Sequence, residues 1–141
     1  SLDILKIKKI DLIKYDYIIL PGYLIKQLPS NIVDVFVNTR SFMEMNIETV
    51  NFYFSQIHRL INRGGIFYCV NRYKKKTSGD TIKFKKFPFD ENWSFEISKQ
   101  SFSQPLIHEA LLRRTSLRNY KLRKELMRLK PYDFDFFRNL V

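Results

Sequence analysis

Apolar residues fall in short runs and one helical stripe over the first half of the chain, then alternate with polar residues after position 92. Residues 16–20 (Asp-Tyr-Ile-Ile-Leu) predict a short buried strand, stopped by Pro21 and Gly22. Residues 23–31 predict a loop or one helical turn, closed by Pro29, Ser30 and Asn31. Residues 34–38 (Asp-Val-Phe-Val-Asn) predict a second strand, with the continuous apolar run of a parallel sheet. Residues 47–62 predict a helix. Ile47, Val50, Phe54, Ile57 and Ile61 form one apolar stripe. Asn46 can cap its start and Glu48 suits the positive dipole end, while Arg59 and Arg63 suit the negative end and Gly64 can take a left-handed cap. Residues 66–70 (Ile-Phe-Tyr-Cys-Val) predict a third buried strand.

Strand, helix, strand is a βαβ unit, which requires parallel pairing and a right-handed crossover. Residues 72–92 are charged and carry Gly79, Pro88 and Asp90, the mark of a long loop or loose hairpin. Trp93, Phe95 and Ile97 alternate with Ser94, Glu96 and Ser98, which predicts a half-buried strand. Residues 107–113 follow the turn at Gln104-Pro105 and make its antiparallel partner. Residues 116–130 predict a basic helix with Tyr120, Leu122, Leu126, Met127 and Leu129 on its apolar side, ended by Pro131. The fold class is α/β, one domain over 1–141. Residues 1–14 fit neither period, and 115–141 form a basic helix and tail.

The chain has 141 residues, 25 basic and 14 acidic, with a formal charge of +11. The excess sits in two blocks: residues 63–86 hold eight basic and one acidic residue, and 113–141 hold nine and three. Such blocks suit nucleic acid or an anionic membrane surface. The joint richness in Ile, Lys, Asn, Phe and Tyr is also the imprint of a low-GC genome. No two of the four glycines form G-x-G, which excludes a glycine-rich phosphate or dinucleotide loop within this chain. One cysteine and two histidines give no basis for a metal site or an internal disulfide. No apolar run approaches the roughly 18 residues of a membrane span, and there is no signal peptide. A cytoplasmic setting is expected.

The order of elements resembles the second half of a Rossmann-like, S-adenosylmethionine-dependent methyltransferase, whose last two strands form a hairpin inserted antiparallel into a parallel sheet. The stretch Tyr17-Ile-Ile-Leu-Pro-Gly-Tyr23 leading to Asp34-Val-Phe-Val-Asn38 is similar to that family's third and fourth strands. More narrowly, residues 34–45 with their Ser-x-x-Glu-Met, the helix with Tyr53-Phe54, and Gly64-Gly-Ile-Phe-Tyr-Cys-Val-Asn71 resemble the sugar O-methyltransferases of bacterial glycan clusters. Trp93 and the His108-Glu109 pair also sit where that family has them. The resemblance covers roughly residues 15–114. The family's acidic residue and G-x-G-x-G loop are absent, as is the acid after its second strand. The resemblance therefore implies an incomplete fold, the C-terminal portion of a longer enzyme whose glycine-loop half is missing. The strand that would separate 16–20 from 34–38 is among the missing parts, so 16–20 is expected to leave an open sheet edge prone to self-association, or to pair with residues 4–8.

In open α/β sheets ligands lie beyond the carboxyl ends of the strands. By the resemblance, Gly22 and Tyr23 would lie near the adenine of S-adenosylmethionine, and Asn38, Arg40 and Ser41 near its amino-acid end. A plain Pro-Gly turn and a loop partner for Asn38 would satisfy the same residues. Methyl transfer to a hydroxyl needs a group that takes the hydroxyl proton. Glu44, between Met43 and Met45, is one candidate because apolar neighbours can desolvate it, and a pair with Arg40 is its structural alternative. His108 is the other candidate. Asn71, Arg72 and Tyr73 are placed to meet a sugar or glycan substrate, and the basic run after Arg72 to meet the diphosphate of a nucleotide- or lipid-linked one. His58 is expected on the surface and Cys69 in the core. The helix at 116–130 suits either a peripheral contact with an anionic membrane or docking on the domain. The competing reading is a small basic α/β module that binds nucleic acid or acidic glycan through 72–86 and 113–130.

Overall fold

A computed structural model describes residues 12–76, 81–119 and 121–129. Strand β1 (Val33–Thr39) leads through a single 3-10 turn (Phe42–Glu44) into helix α1 (Ile47–Leu60). The helix passes directly into β2 (Ile61–Arg72). A short hairpin of β3 (Lys74–Lys76) and β4 (Thr81–Lys83) follows, then a 3-10 turn at Phe84–Lys86. The last two long strands are β5 (Trp93–Gln100) and β6 (Ile107–Arg114), and helix α2 (Leu122–Arg128) follows them. The main sheet has the order β1-β2-β6-β5. β1 and β2 are parallel, and β6 is antiparallel to both of its neighbours. The expected βαβ unit and terminal hairpin are thus present in one mixed sheet. Among the described residues, no helix is long and apolar enough to cross a membrane.

Helix α1 forms where the sequence predicts it. The Asn46 side chain accepts a hydrogen bond from the Thr49 amide at 2.8 Å, satisfying one of the free N–H groups of the first turn. Val50, Phe54, Ile57 and Leu60 are buried. Val50, Phe54 and Ile57 pack on the sheet face that carries Phe67, Cys69, Ala110 and Leu112. Phe84, Phe87, Phe89 and Trp93 complete this core. Phe54 meets Phe89 edge-on at 4.9 Å between ring centroids and lies 5.4 Å from Phe42 and from Phe87. Edge-on ring pairs add about 0.5–1.5 kcal/mol each to their burial. The segment read as a long loop or loose hairpin at 72–92 thus forms a hairpin and supplies a large part of the core.

Several expectations fail for identifiable reasons. Residues 16–20 form no strand, and Ile19 is 97% exposed. No described strand lies beside them, and an unpaired strand has no partner for its amides. The pairing imagined with residues 4–8 lies outside the described residues, as do Gly79, Tyr120 and Pro131. Gly64 does not cap α1. It sits inside β2 at φ +82°, where the register with β1 jumps from Val33–Ile61 to Val35–Ile66. The glycine absorbs the bulge. In β5 the alternation breaks between Phe95 and Ile97, so Ile97 turns away from the core and Ser98 turns opposite Ala110. Helix α2 is shorter than expected. Its Leu122 and Leu126 are buried, so it docks on the domain. Among the described residues, the strands at 34–38 and 66–70 are fully covered on one face only. Val35 and Val37 are 58% and 57% exposed on the other.

Candidate functional site

The chain directions place the carboxyl ends of β1 and β2, the start of β6 and the end of β5 at one end of the sheet. The polar residues singled out in the sequence gather there. Asn38, the last inward residue of β1, is buried and donates to the Ser41 hydroxyl. Asn71, the inward residue at the end of β2, donates to Asn38 Oδ1 at 2.9 Å and accepts from the Met43 amide at 3.3 Å. The two asparagines thus tie the loop after β1 to the end of β2. An unpartnered buried amide costs about 1–3 kcal/mol, and here each satisfies the other. Asn71 is fully buried, which corrects its expected place against a substrate.

Arg40 follows β1 in the left-handed region at φ +62°. Its amide donates to Val70 O at 2.7 Å and its guanidinium to Gln104 Oε1. Few non-glycine residues adopt this conformation, and it turns the chain sharply from strand to loop. Glu44 pairs with Lys75 of the hairpin, not with Arg40. Its side chain is 56% exposed, so the desolvation expected from Met43 and Met45 does not occur. Met43 is itself buried, but the carboxylate beside it is left outside.

His108 is 1% exposed. Its Nδ1 lies 3.0 Å from the Tyr73 hydroxyl and its Nε2 lies 3.2 Å from Ser98 Oγ. A neutral imidazole has one donor and one acceptor nitrogen, which matches one hydroxyl on each side. Burial pushes its pKa down to about 4, against a small upward pull from Glu109. His108 is therefore a neutral group behind Tyr73, which corrects its reading as a base that meets substrate. Tyr73 is half-buried, and burial raises its phenol above the ordinary range. Arg72 is exposed. Ser98 and Gln104 were not read as site residues in the sequence, and Lys75 was read only as one member of the basic run after Arg72. Ser98 reaches the site only through the β5 bulge, and nothing in the alternation signals it. Lys75 and Gln104 reach it through the folding of two loops.

Gly22 and Tyr23 do not join this cluster through any hydrogen bond. Gly22 opens a 3-10 turn (Gly22–Gln27) so close to α1 that a Cβ there would meet the Tyr53 hydroxyl at 2.7 Å. Arg59 of α1 holds the same segment by donating to Ile25 O at 3.0 Å and Leu28 O at 2.5 Å. Tyr23 is exposed. His58 is not the surface residue expected. It packs between Phe54 and Trp93, lies 3.6 Å from Asp90, and burial lowers its pKa. Cys69 is fully buried, and burial raises its thiol to about 12. Among the described residues, no group of three or more metal-ligating side chains exists.

No protein-family model and no curated sequence matches the chain. Among solved structures it is similar to a candidate type 11 methyltransferase from Sulfolobus solfataricus, with 20% identity and a TM-score of 0.45. The match covers 66% of this chain and 56% of that one, so the chain spans little more than half the length of that neighbour.

The cluster at the strand ends does not by itself make a cofactor site. The amides of Asn38 and Asn71 are spent on each other, Ser41 and Met43, and the Gly22 turn packs on α1. What the cluster does offer is an exposed carboxylate, a half-buried phenol backed by a neutral imidazole, and a cationic hairpin beside them.

Proposed function

We propose that the chain is the C-terminal portion of a cytoplasmic S-adenosylmethionine-dependent methyltransferase that methylates a sugar hydroxyl in glycan synthesis. The observation that carries the reading is the sheet. It has a parallel pair joined by one helix, followed by an antiparallel hairpin whose second strand inserts next to the pair. It coincides with the order read from the sequence, where residues 34–71 also carry the resemblance. In this reading the glycine loop and the acid that grip the cofactor belong to the other half of the fold. The residues of this chain then act on the acceptor. Glu44, exposed at the strand ends and held in place by Lys75, takes the proton of the attacking hydroxyl. Tyr73, oriented by His108, hydrogen-bonds the sugar beside it.

Two measurements test this. Calorimetry of the isolated chain with S-adenosylmethionine is expected to give millimolar or weaker binding, because each missing directed hydrogen bond removes about 1 kcal/mol or more. Micromolar binding would refute the half-site assignment. In the complete enzyme, Glu44→Gln should cut methyl transfer to the sugar acceptor while leaving cofactor affinity within about twofold, since a base acts on the proton and not on the sulfonium. An unchanged rate removes Glu44 from the mechanism.

A further inference from the structure

The stretch from Arg72 to Lys86 holds seven cations. Lys75 is neutralised by Glu44. The other six, Arg72, Lys74, Lys76, Lys83, Lys85 and Lys86, have no carboxylate partner among the described residues. Three of them share one face of the hairpin. Lys74 stands directly opposite Lys83 in the ladder, and Lys76 follows two positions along β3. Like charges opposed across an antiparallel pair destabilise it. The other face is anchored: Ile82 is buried in the core and Lys75 holds Glu44. At its base, the Tyr73 amide donates to Leu106 O and Tyr73 O accepts from the Phe84 amide, both at 3.0 Å. A hairpin anchored on one face, with opposed ammonium groups that have no carboxylate partner among the described residues, has the form of an anion receptor.

We infer that the outer face of the β3–β4 hairpin, Lys74, Lys76 and Lys83, binds the diphosphate of a diphosphate-linked sugar. This rests on the methyltransferase reading for the identity of the sugar as acceptor. Lysine ammonium groups act on phosphate as point charges, and two or more can share a diphosphate. The geometry connects this anion to the chemistry. The hairpin begins two residues beyond the end of β2, and its inner face grips Glu44. Glu44 lies on the opposite face, so a sugar carried on a diphosphate held there must extend around the hairpin to reach that carboxylate. The diphosphate belongs to a nucleotide or to a polyprenyl lipid.

The test is titration of the chain with inorganic pyrophosphate at low salt, followed by calorimetry, for wild type and two double variants. K74Q/K83Q is expected to weaken pyrophosphate at least about tenfold, and K121Q/K124Q, which removes the same charge from α2 and its approach, less than about twofold. Circular dichroism confirms that each variant is folded. Equal losses in both variants, or no pyrophosphate binding by wild type, overturn the inference. A single-stranded oligonucleotide that binds more tightly than pyrophosphate and depends on the same lysines also overturns it, in favour of nucleic acid. Uridine diphosphate and vesicles carrying polyprenyl diphosphate then separate the two sources, and preference for either supports the site. No cofactor is present in these titrations. Their failure therefore leaves methyl transfer standing, and failure of methyl transfer in the complete enzyme leaves the hairpin site standing.

Discussion

His108 lies between the hydroxyls of Tyr73 and Ser98, and its burial disfavours the charged ring. In the unfolded chain its pKa is the ordinary 6.5, and in the fold burial lowers it to about 4. Between these values the unfolded chain binds more protons than the folded one. Stability therefore rises with pH through this window and is complete above it. Acidification from pH 7 to pH 4 should cost about 3 kcal/mol from this residue alone. His58, whose pKa burial also lowers, acts in the same direction. Chemical denaturation at stepped pH should show the wild-type midpoint falling between pH 6.5 and 4, and a shallower fall for His108→Gln. Parallel curves would mean that the imidazole titrates no differently in the fold. The neutral ring also bears on the proposed function, because a group that resists protonation at pH 5 leaves the phenol's partner unchanged at neutral pH.

At the scale of elements, the crossover from α1 to β2 is the most exacting join. The helix ends at Leu60 and the strand starts at Ile61, so the slack needed to bring β2 into register with β1 is taken up inside the strand. Gly64 does this with φ +82° and open space around its Cα. Gly65 does something different: a Cβ there would lie 2.9 Å from Asn62 O and 3.0 Å from Asp34 O. Gly64→Ala should cost about 1–2 kcal/mol from backbone strain alone. Gly65→Ala should cost more, because backbone atoms of β1 and β2 must move apart. Loss of the cap in Asn46→Ala should cost about 1 kcal/mol. Denaturation midpoints rank the three, and Gly64→Ala as the most damaging would contradict the assignment of strain and contact. These joins also show where the sequence stops being legible. The stripe Ile47 to Ile61 and the runs at 34–38 and 66–70 reveal α1, β1 and β2 because burial on one face imposes a period. The bulges at Gly64 and between Phe95 and Ile97 have no period to betray them. They decide that Ser98 meets His108 and that Ile97 does not pack inward. That Asn38, Arg40, Ser41 and Asn71 stand at or just beyond strand ends was legible from the apolar runs before them. Their mutual hydrogen bonds were not, since pairing across 33 residues depends on register.

For the whole molecule, the sheet is the telling feature. One face is sealed by α1, α2 and the aromatic loop. The other carries Val35 and Val37 on β1, more than half exposed, with Ile66, Tyr68 and Val70 of β2 and Leu111 of β6 only partly covered beside them. Parallel strand pairs occur almost always with both faces covered. Among the described residues β1 also has only β2 as a neighbour, which leaves its outer edge unpaired. An apolar face next to a free edge favours association. The isolated chain should therefore self-associate with rising concentration in sedimentation velocity. Val35→Lys with Val37→Lys should shift it toward monomer and change its own stability by less than about 0.5 kcal/mol, because both side chains already face water. The complete methyltransferase proposed above makes the opposite demand on the same substitutions. There the other half of the fold would cover these valines, and two buried lysines without partners should cost several kcal/mol or prevent folding. The contrast is the decisive measurement. Equal tolerance of V35K/V37K in the chain and in the complete enzyme would mean that this face is never covered, and the chain would then not be one half of a larger sheet.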